Sequence, residues 1–227
     1  MTTIPNLASS PSSLTAVGSN VFFMANTNPG HGRELWISDG TAVGTMEVKD
    51  IRVGQSGASP FQLTAVGSTL YFTANDGTNG TELWKSDGTE PGTTMVRDIN
   101  SGSASSSPSD LVAIGSTLFF FATEAAAGRE LWKPDGTPSG TVPVLDLVPG
   151  AGGSAPTRLV AFGSNLVFYA NDGVHGLEPW LSDGSEAGTG MIGDFNPGAA
   201  DGVASGYGYG PRVVAGALYL SIDDGAT

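Results

Sequence analysis

Tryptophan stands at positions 36, 84, 132 and 180, a strict interval of 48 residues. Asp39, Asp87, Asp135 and Asp183 keep that interval, as do Asp50, Asp98, Asp146 and Asp194. A fixed period of this length signals a repeat architecture, in which each copy is one supersecondary unit stacked on its neighbours. The unit reads roughly P-x-x-L-x-A-x-G-S-x-L-x-F-x-A-N-D-G-x-x-G-x-E-L-W-x-S-D-G-T-x-x-G-T-x-x-V-x-D-I. It divides a single domain into copies at 11–59, 60–107, 108–155 and 156–210, with a partial fifth at 211–227 to which residues 1–10 are added.

Punctuation inside the second copy predicts four strands. Leu63–Val66 is followed by a Gly67-Ser68 turn and then by Thr69–Asn75. Asp76–Gly80 forms a loop, Thr81–Ser86 a third strand, Asp87–Gly92 a second hairpin loop, and Thr93–Ile99 the fourth strand. Second strands such as Leu118-Phe119-Phe120-Phe121 are apolar at consecutive positions, whereas a strand with one wet face alternates. Both faces are therefore expected to be buried. Four-stranded units of about 40 to 50 residues, each sandwiched between neighbours, predict an all-β protein, a β-propeller of antiparallel blades. The partial fifth copy lacks its third and fourth strands, and Thr2–Leu7 lies where a fourth strand would fall, so the expectation is five blades with the ends sharing one.

Composition narrows the function classes. The chain has 22 acidic and 9 basic residues and a net charge of -13, which opposes binding to nucleic acid or to anionic membranes. There are no cysteines, so disulfides, thiolate metal sites and cysteine nucleophiles are excluded. No apolar run is long enough for a membrane helix, and Met1–Ser10 has neither a basic nor an apolar leader region. A monomer with no membrane insertion is expected.

The segment Glu82-Leu83-Trp84-Lys85-Ser86-Asp87-Gly88-Thr89 recurs as Glu34–Thr41, Glu130–Thr137 and Glu178–Ser185. A catalytic residue is needed once, so residues present in every copy read as structural: Trp fills space between units and Asp-Gly closes a hairpin. Pro134 and Pro179 depart from the pattern and each removes a backbone donor. These segments resemble the ELWxxDGT repeat family of bacterial secreted or surface-associated proteins. The resemblance implies an extracellular or cell-surface repeat module and leaves the ligand open.

The loops between second and third strands diverge between copies, as functional loops on a rigid scaffold do. The candidate ligand-binding residues are therefore Asn75, Asp76, Asn171, Asp172, His31 and His175, with Tyr207 and Tyr209 from the Gly/Tyr-rich insertion; Tyr71 and Tyr169 would contribute if exposed. Asn75-Asp76 and Asn171-Asp172 offer oxygen ligands of the kind Ca2+ takes, without the alternating acids of an EF-hand. No catalytic motif appears. The expectation is a non-enzymatic, lectin-like or adhesin-like binding module that recognises a glycan or surface protein multivalently. The alternatives are a carbohydrate-active enzyme, a glycoside hydrolase or lyase with an acidic central-channel site, and a purely structural repeat spacer.

Overall fold

The structure, a computed structural model, describes residues 7–27, 30–203 and 210–226, with the backbone alone at 7–10 and 27. Every regular element among them is a strand. The first sheet contains β1 (Leu7–Val17), β2 (Asn20–Thr27), β3 (Gly32–Ser38) and β4 (Met46–Lys49), and the second contains β5 (Phe61–Val66), β6 (Thr69–Asn75), β7 (Thr81–Ser86) and β8 (Thr94–Arg97). The third is built from β9 (Ser109–Ile114), β10 (Thr117–Glu124), β11 (Gly128–Lys133) and β12 (Val142–Leu145). The fourth has β13 (Thr157–Phe162), β14 (Asn165–Asn171), β15 (Leu177–Ser182) and β16 (Thr189–Met191). A fifth sheet has only β17 (Arg212–Val214) and β18 (Ala217–Tyr219). Each sheet runs in chain order as an antiparallel meander.

Two compact units form, Met1–Ser109 with Gly136–Ser139, and Asp110–Asp135 with Gly140–Thr227. In the first, β1 lies against β5, and Thr15 Oγ1 donates to the Leu63 carbonyl at 3.2 Å. In the second, β13 lies against β17. First strands of these neighbouring sheets therefore approach each other.

In β6, Leu70 to Ala74 are buried without a break, and Leu166 to Ala170 in β14 repeat this. Both faces of the second strand are covered, as the unbroken apolar runs require. The covering layers are neighbouring sheets. In the first unit, Leu35, Ile37 and Val48 pack with Leu70, Phe72 and Trp84; in the second, Phe119, Phe121 and Leu131 pack with Phe168 and Trp180. All four repeat tryptophans are at most 7% exposed. A buried side chain of this size is the largest apolar contribution each copy can make to the stack.

The Asp-Gly-Thr turns explain why the motif repeats. Asp87 Oδ1 accepts the Thr89 backbone N–H at 2.8 Å and its hydroxyl at 2.7 Å. Thr89 Oγ1 then accepts the Gly92 N–H at 3.0 Å, and the Thr93 hydroxyl donates to the Thr89 carbonyl at 2.7 Å. The Asp87 carboxylate fills the space where a Cβ on Gly92 would stand, so the downstream glycine is part of the turn. Asp39 with Gly44 and Asp183 with Gly188 repeat the arrangement.

The structure shifts some boundaries. β5 begins two residues before the predicted Leu63, and β8 stops at Arg97 instead of Ile99, because backbone near Ile99 turns to donate to Glu82. Leu7–Ser9 pair with β2 and so belong to the first sheet; Thr2–Asn6 lie outside the described residues. Pro179 sits within β15 opposite Tyr169, while Pro134 directly follows the end of β11.

Candidate functional site

The loop residues singled out by sequence are held within their own turns. Asn75 Oδ1 accepts the Gly77 N–H at 2.7 Å. Asp76 Oδ1 accepts the N–H groups of Thr78 and Asn79, each at 2.8 Å, and Oδ2 accepts the Asn79 side-chain amide at 2.7 Å. Burial pushes the Asp76 carboxyl up, but these donors together outweigh it and hold the group below its usual range. Asn171 and Asp172 repeat the pattern with Gly173, Val174 and His175, and His175 Nδ1 lies 2.7 Å from Asp172 Oδ2. That hydrogen bond raises the His175 pKa.

His31 lies in a different setting, with Nδ1 2.9 Å from Glu47 Oε1 and Nε2 3.7 Å from Asp50 Oδ2. The bond to Glu47 raises its pKa. Among the described residues no group of three or more His, Asp or Glu side chains is placed to hold a metal ion. Tyr71 and Tyr169 are 8% and 1% exposed, so both are core residues; Tyr207 and Tyr209 lie outside the described residues.

A second set of residues escaped sequence reasoning. Ser13, Gln62, Asp110 and Arg158 all have positive φ, at 55°, 53°, 53° and 61°. Each is the second variable residue of P-x-x-L and lies in the first strand of its sheet. The β1, β5 and β13 registers shift around Ser13, Gln62 and Arg158, as a β-bulge does when it re-aims a side chain. A left-handed conformation costs a non-glycine residue about 1–2 kcal/mol, yet glycine occupies none of the four positions. Backbone conformation repeats while side chains differ.

Their surroundings differ too. Gln62 Nε2 donates to the Pro108 carbonyl at 3.2 Å. Burial lowers the Arg129 pKa and the Asp110 charge opposes that shift, while the Arg129 guanidinium also lies 5.8 Å from the Phe121 ring centroid. Arg158 is exposed and lies beside Gly210, where a Cβ would come within 2.9 Å of its Cδ. The available sequence signal was the alignment of the copies: Ser, Gln, Asp and Arg fill one column in an otherwise repetitive pattern.

A third set is structural. Glu34, Glu82, Glu130 and Glu178 are fully buried, and each accepts backbone N–H groups from the linker after its own sheet. Glu82 Oε1 accepts the Ser106 N–H at 2.7 Å and Oε2 the Ile99 N–H at 3.2 Å. Glu130 accepts both the N–H and the hydroxyl of Ser154 at 2.6 Å. Glu34 faces Ala58 at that position and has the N–H alone, at 2.7 Å; burial pushes its carboxyl up to about 7. In the fourth sheet Glu178 Oε2 accepts the Phe195 N–H at 3.2 Å, while Oε1 is buried without a partner.

No family model and no curated protein matches the chain. Solved structures do. An acylaminoacyl peptidase from Pyrococcus horikoshii aligns over 81% of this chain and 27% of its own, with a TM-score of 0.51 at 12% identity. A puromycin hydrolase variant aligns over 90% of this chain and 31% of its own, with a TM-score of 0.51 at 16% identity. A family 117 glycoside hydrolase from Zobellia galactanivorans aligns over 81% and 68% respectively, at 13% identity and a TM-score of 0.37. The chain thus spans about a third or less of the first two, and at these identities the likeness is one of fold.

The comparisons correct the expectation of a non-enzymatic binding module. The two structures that match at a TM-score of 0.51 are an acylaminoacyl peptidase and a puromycin hydrolase variant, and the likeness is one of fold. Sequence reasoning weighed residues present in every copy and recognisable catalytic motifs, and it passed over the column of four polar residues.

Proposed function

We propose that the chain is a β-propeller of five blades, the fifth begun by β17 and β18, that belongs to a carbohydrate-active enzyme and meets its glycan substrate along the inner strands. One observation carries this reading: Ser13, Gln62, Asp110 and Arg158 share a strained, left-handed backbone and present four different polar side chains. Strain kept in the same place across copies, with divergent chemistry, is typical of a functional position. In a propeller the first strand of each blade lines the central channel, and the approach of β1 to β5 and of β13 to β17 supports that arrangement.

Asp110, the one acid of the four, is the candidate proton-transfer group. Glycoside hydrolysis uses two carboxylates, and the inner strands contribute this one. Arg158, in the same compact unit as Asp110, supplies a cation, while Ser13 and Gln62 in the other unit offer donors and acceptors for sugar hydroxyls along their own strands. The net charge of -13 favours an uncharged glycan over a polyanion. The resemblance to ELWxxDGT repeat proteins supports an extracellular setting.

The test is release of reducing ends from a panel of neutral polysaccharides. Asp110→Asn is expected to lower the rate about 10²-fold or more with an unchanged melting temperature. Absence of release from every polysaccharide, or full activity in Asp110→Asn, overturns the reading.

A further inference from the structure

Each buried glutamate of the repeat has a supporting position 24 residues downstream, and the four copies fill it in two ways. Ser106 and Ser154 give hydroxyls to Glu82 and Glu130 at 2.5 Å and 2.6 Å. Ala58 has no hydroxyl to give Glu34, and Gly202 has no room for one, since a Cβ there would stand 2.2 Å from Glu178 Oε1. A second column divides the copies in the same way. His31 and His175 stand in the two copies that lack the serine, and Asn79 and Ala127 in the two that have it.

Both histidines face the same kind of site. An aspartate follows the fourth strand of each sheet, and Asp50 Oδ1 and Asp194 Oδ1 are buried without a hydrogen-bond partner. Burial first, and then the charge of this aspartate, disfavour ionisation of Glu34 and of Glu178. His31 Nε2 lies 3.7 Å from Asp50 Oδ2. Among the described residues the charged groups that face the His31 ring are Glu47 in β4, Asp50 just after it, and Glu34 in β3. Those that face His175 are Asp172 of its own loop, Asp194 after β16, and Glu178 in β15. Each ring is held by an acid of its own, Glu47 at 2.9 Å and Asp172 at 2.7 Å. Glu47 stands where the other copies have Met95, Pro143 and Met191, while the first copy has Asn28 in the column of Asp172. The same ring is thus secured by two different routes.

We propose that His31 and His175 take over the task of the absent serine hydroxyl: the protonated ring offsets the aspartate and lets the buried glutamate hold its linker as a carboxylate, so that the first and fourth linkers are fastened by a proton and the second and third are not. A serine hydroxyl gives its support at every ordinary pH, whereas a histidine gives charge only while protonated. The bond to Glu47, with the charges of Asp50 and Glu34, raises the His31 pKa above its ordinary value of 6.5. Its contribution is therefore complete below 6.5 and is lost as pH rises through the raised value. The first linker loosens as the medium turns alkaline, while the second keeps its serine. This role is independent of the enzymatic reading.

The experiment follows the glutamate carboxyl carbons by NMR across pH in the full 227-residue protein labelled at glutamate. His31→Asn should raise the Glu34 pKa by roughly 0.5 or more, the low end for a nearby, half-exposed charge, and leave Glu82 where it was. In that variant, exchange of the Ala58 amide, corrected for its intrinsic rate, should quicken about twofold or more near pH 7 and stay unchanged near pH 9, where the parent's ring is neutral. A transplant gives the converse. Ser106→Ala should raise the Glu82 pKa, and adding Asn79→His, which sets a ring beside Asp76 as His175 stands beside Asp172, should bring it back down by roughly 0.5. The proposal is overturned if His31→Asn leaves Glu34 unmoved, if it quickens Ala58 exchange equally at both pH values, or if Asn79→His leaves Glu82 unmoved in the Ser106→Ala protein.

Discussion

At the scale of single residues, chemistry differs between copies through small changes around fixed groups. Ala58 stands where Ser106 and Ser154 donate hydroxyls to Glu82 and Glu130, and Glu34 is the one raised to about 7. A buried glutamate with a raised folded pKa binds its proton more tightly in the native state, so its contribution to stability is present below the unfolded value near 4.5 and is lost as pH rises through about 7. Ala58→Ser should restore the missing donor and stabilise the carboxylate by about 1.5–3 kcal/mol. Denaturant unfolding should show most of that gain at pH 8 and little of it at pH 5. Glycines separate in the same way. Gly92→Ala drives a Cβ into the Asp87 carboxylate and should cost about 2–4 kcal/mol. Gly67→Ala meets open space at a φ of +59° and should cost about 1 kcal/mol, in keeping with Ala215, which holds a φ of 50° in the corresponding turn of the fifth sheet.

At the scale of elements, the strands were legible because their cause is local. Leu-Tyr-Phe-Thr-Ala between turn residues dictates a strand buried on both faces, and β6 and β7 fall where the residues predict. The bulges were not legible, since a positive φ at Gln62 or Arg158 leaves no mark on residue type when glycine is absent. The glutamate bonds were hidden for another reason: they join residues 17 and 24 positions apart, beyond the reach of any strand periodicity. Contacts between sheets test the element-level account. Lys133→Met removes one hydrogen bond to the Gly184 carbonyl and should cost about 1 kcal/mol. Gly184→Ala adds a clash with Phe119 to a φ of +86° and should cost more, about 2–4 kcal/mol, a difference that parallel thermal melts resolve.

At the scale of the whole molecule, 13 uncompensated negative charges repel one another in the compact state. Raising sodium chloride from roughly 10 mM to roughly 500 mM shortens the screening length from about 30 Å to a few ångströms, so the melting temperature should rise. A fall or no change would mean that exposed ion pairs outweigh net repulsion. Repetition also makes the molecule a series of similar interfaces, in which stability is set by each sheet and its neighbour.

The buried glutamates give that series a further property. Because each carboxylate grips its linker at two points, it measures the length of chain between one sheet and the next. Residues 51 and 58 are held by Glu34, and 99 and 106 by Glu82. The loops between second and third strands, which no glutamate spans in this way, are free to drift in sequence. After the fourth sheet the spacing is kept but the contacts differ: the Phe195 N–H still goes to Glu178 Oε2, the Gly202 N–H goes to the Leu177 carbonyl, Glu178 Oε1 has no partner, and the seven-residue insertion follows. The carboxylate thus acts as a ruler for the stretch it bridges: residues 195–202 keep the length of 51–58 and 99–106, and the extra residues stand beyond it, between Gly202 and Pro211.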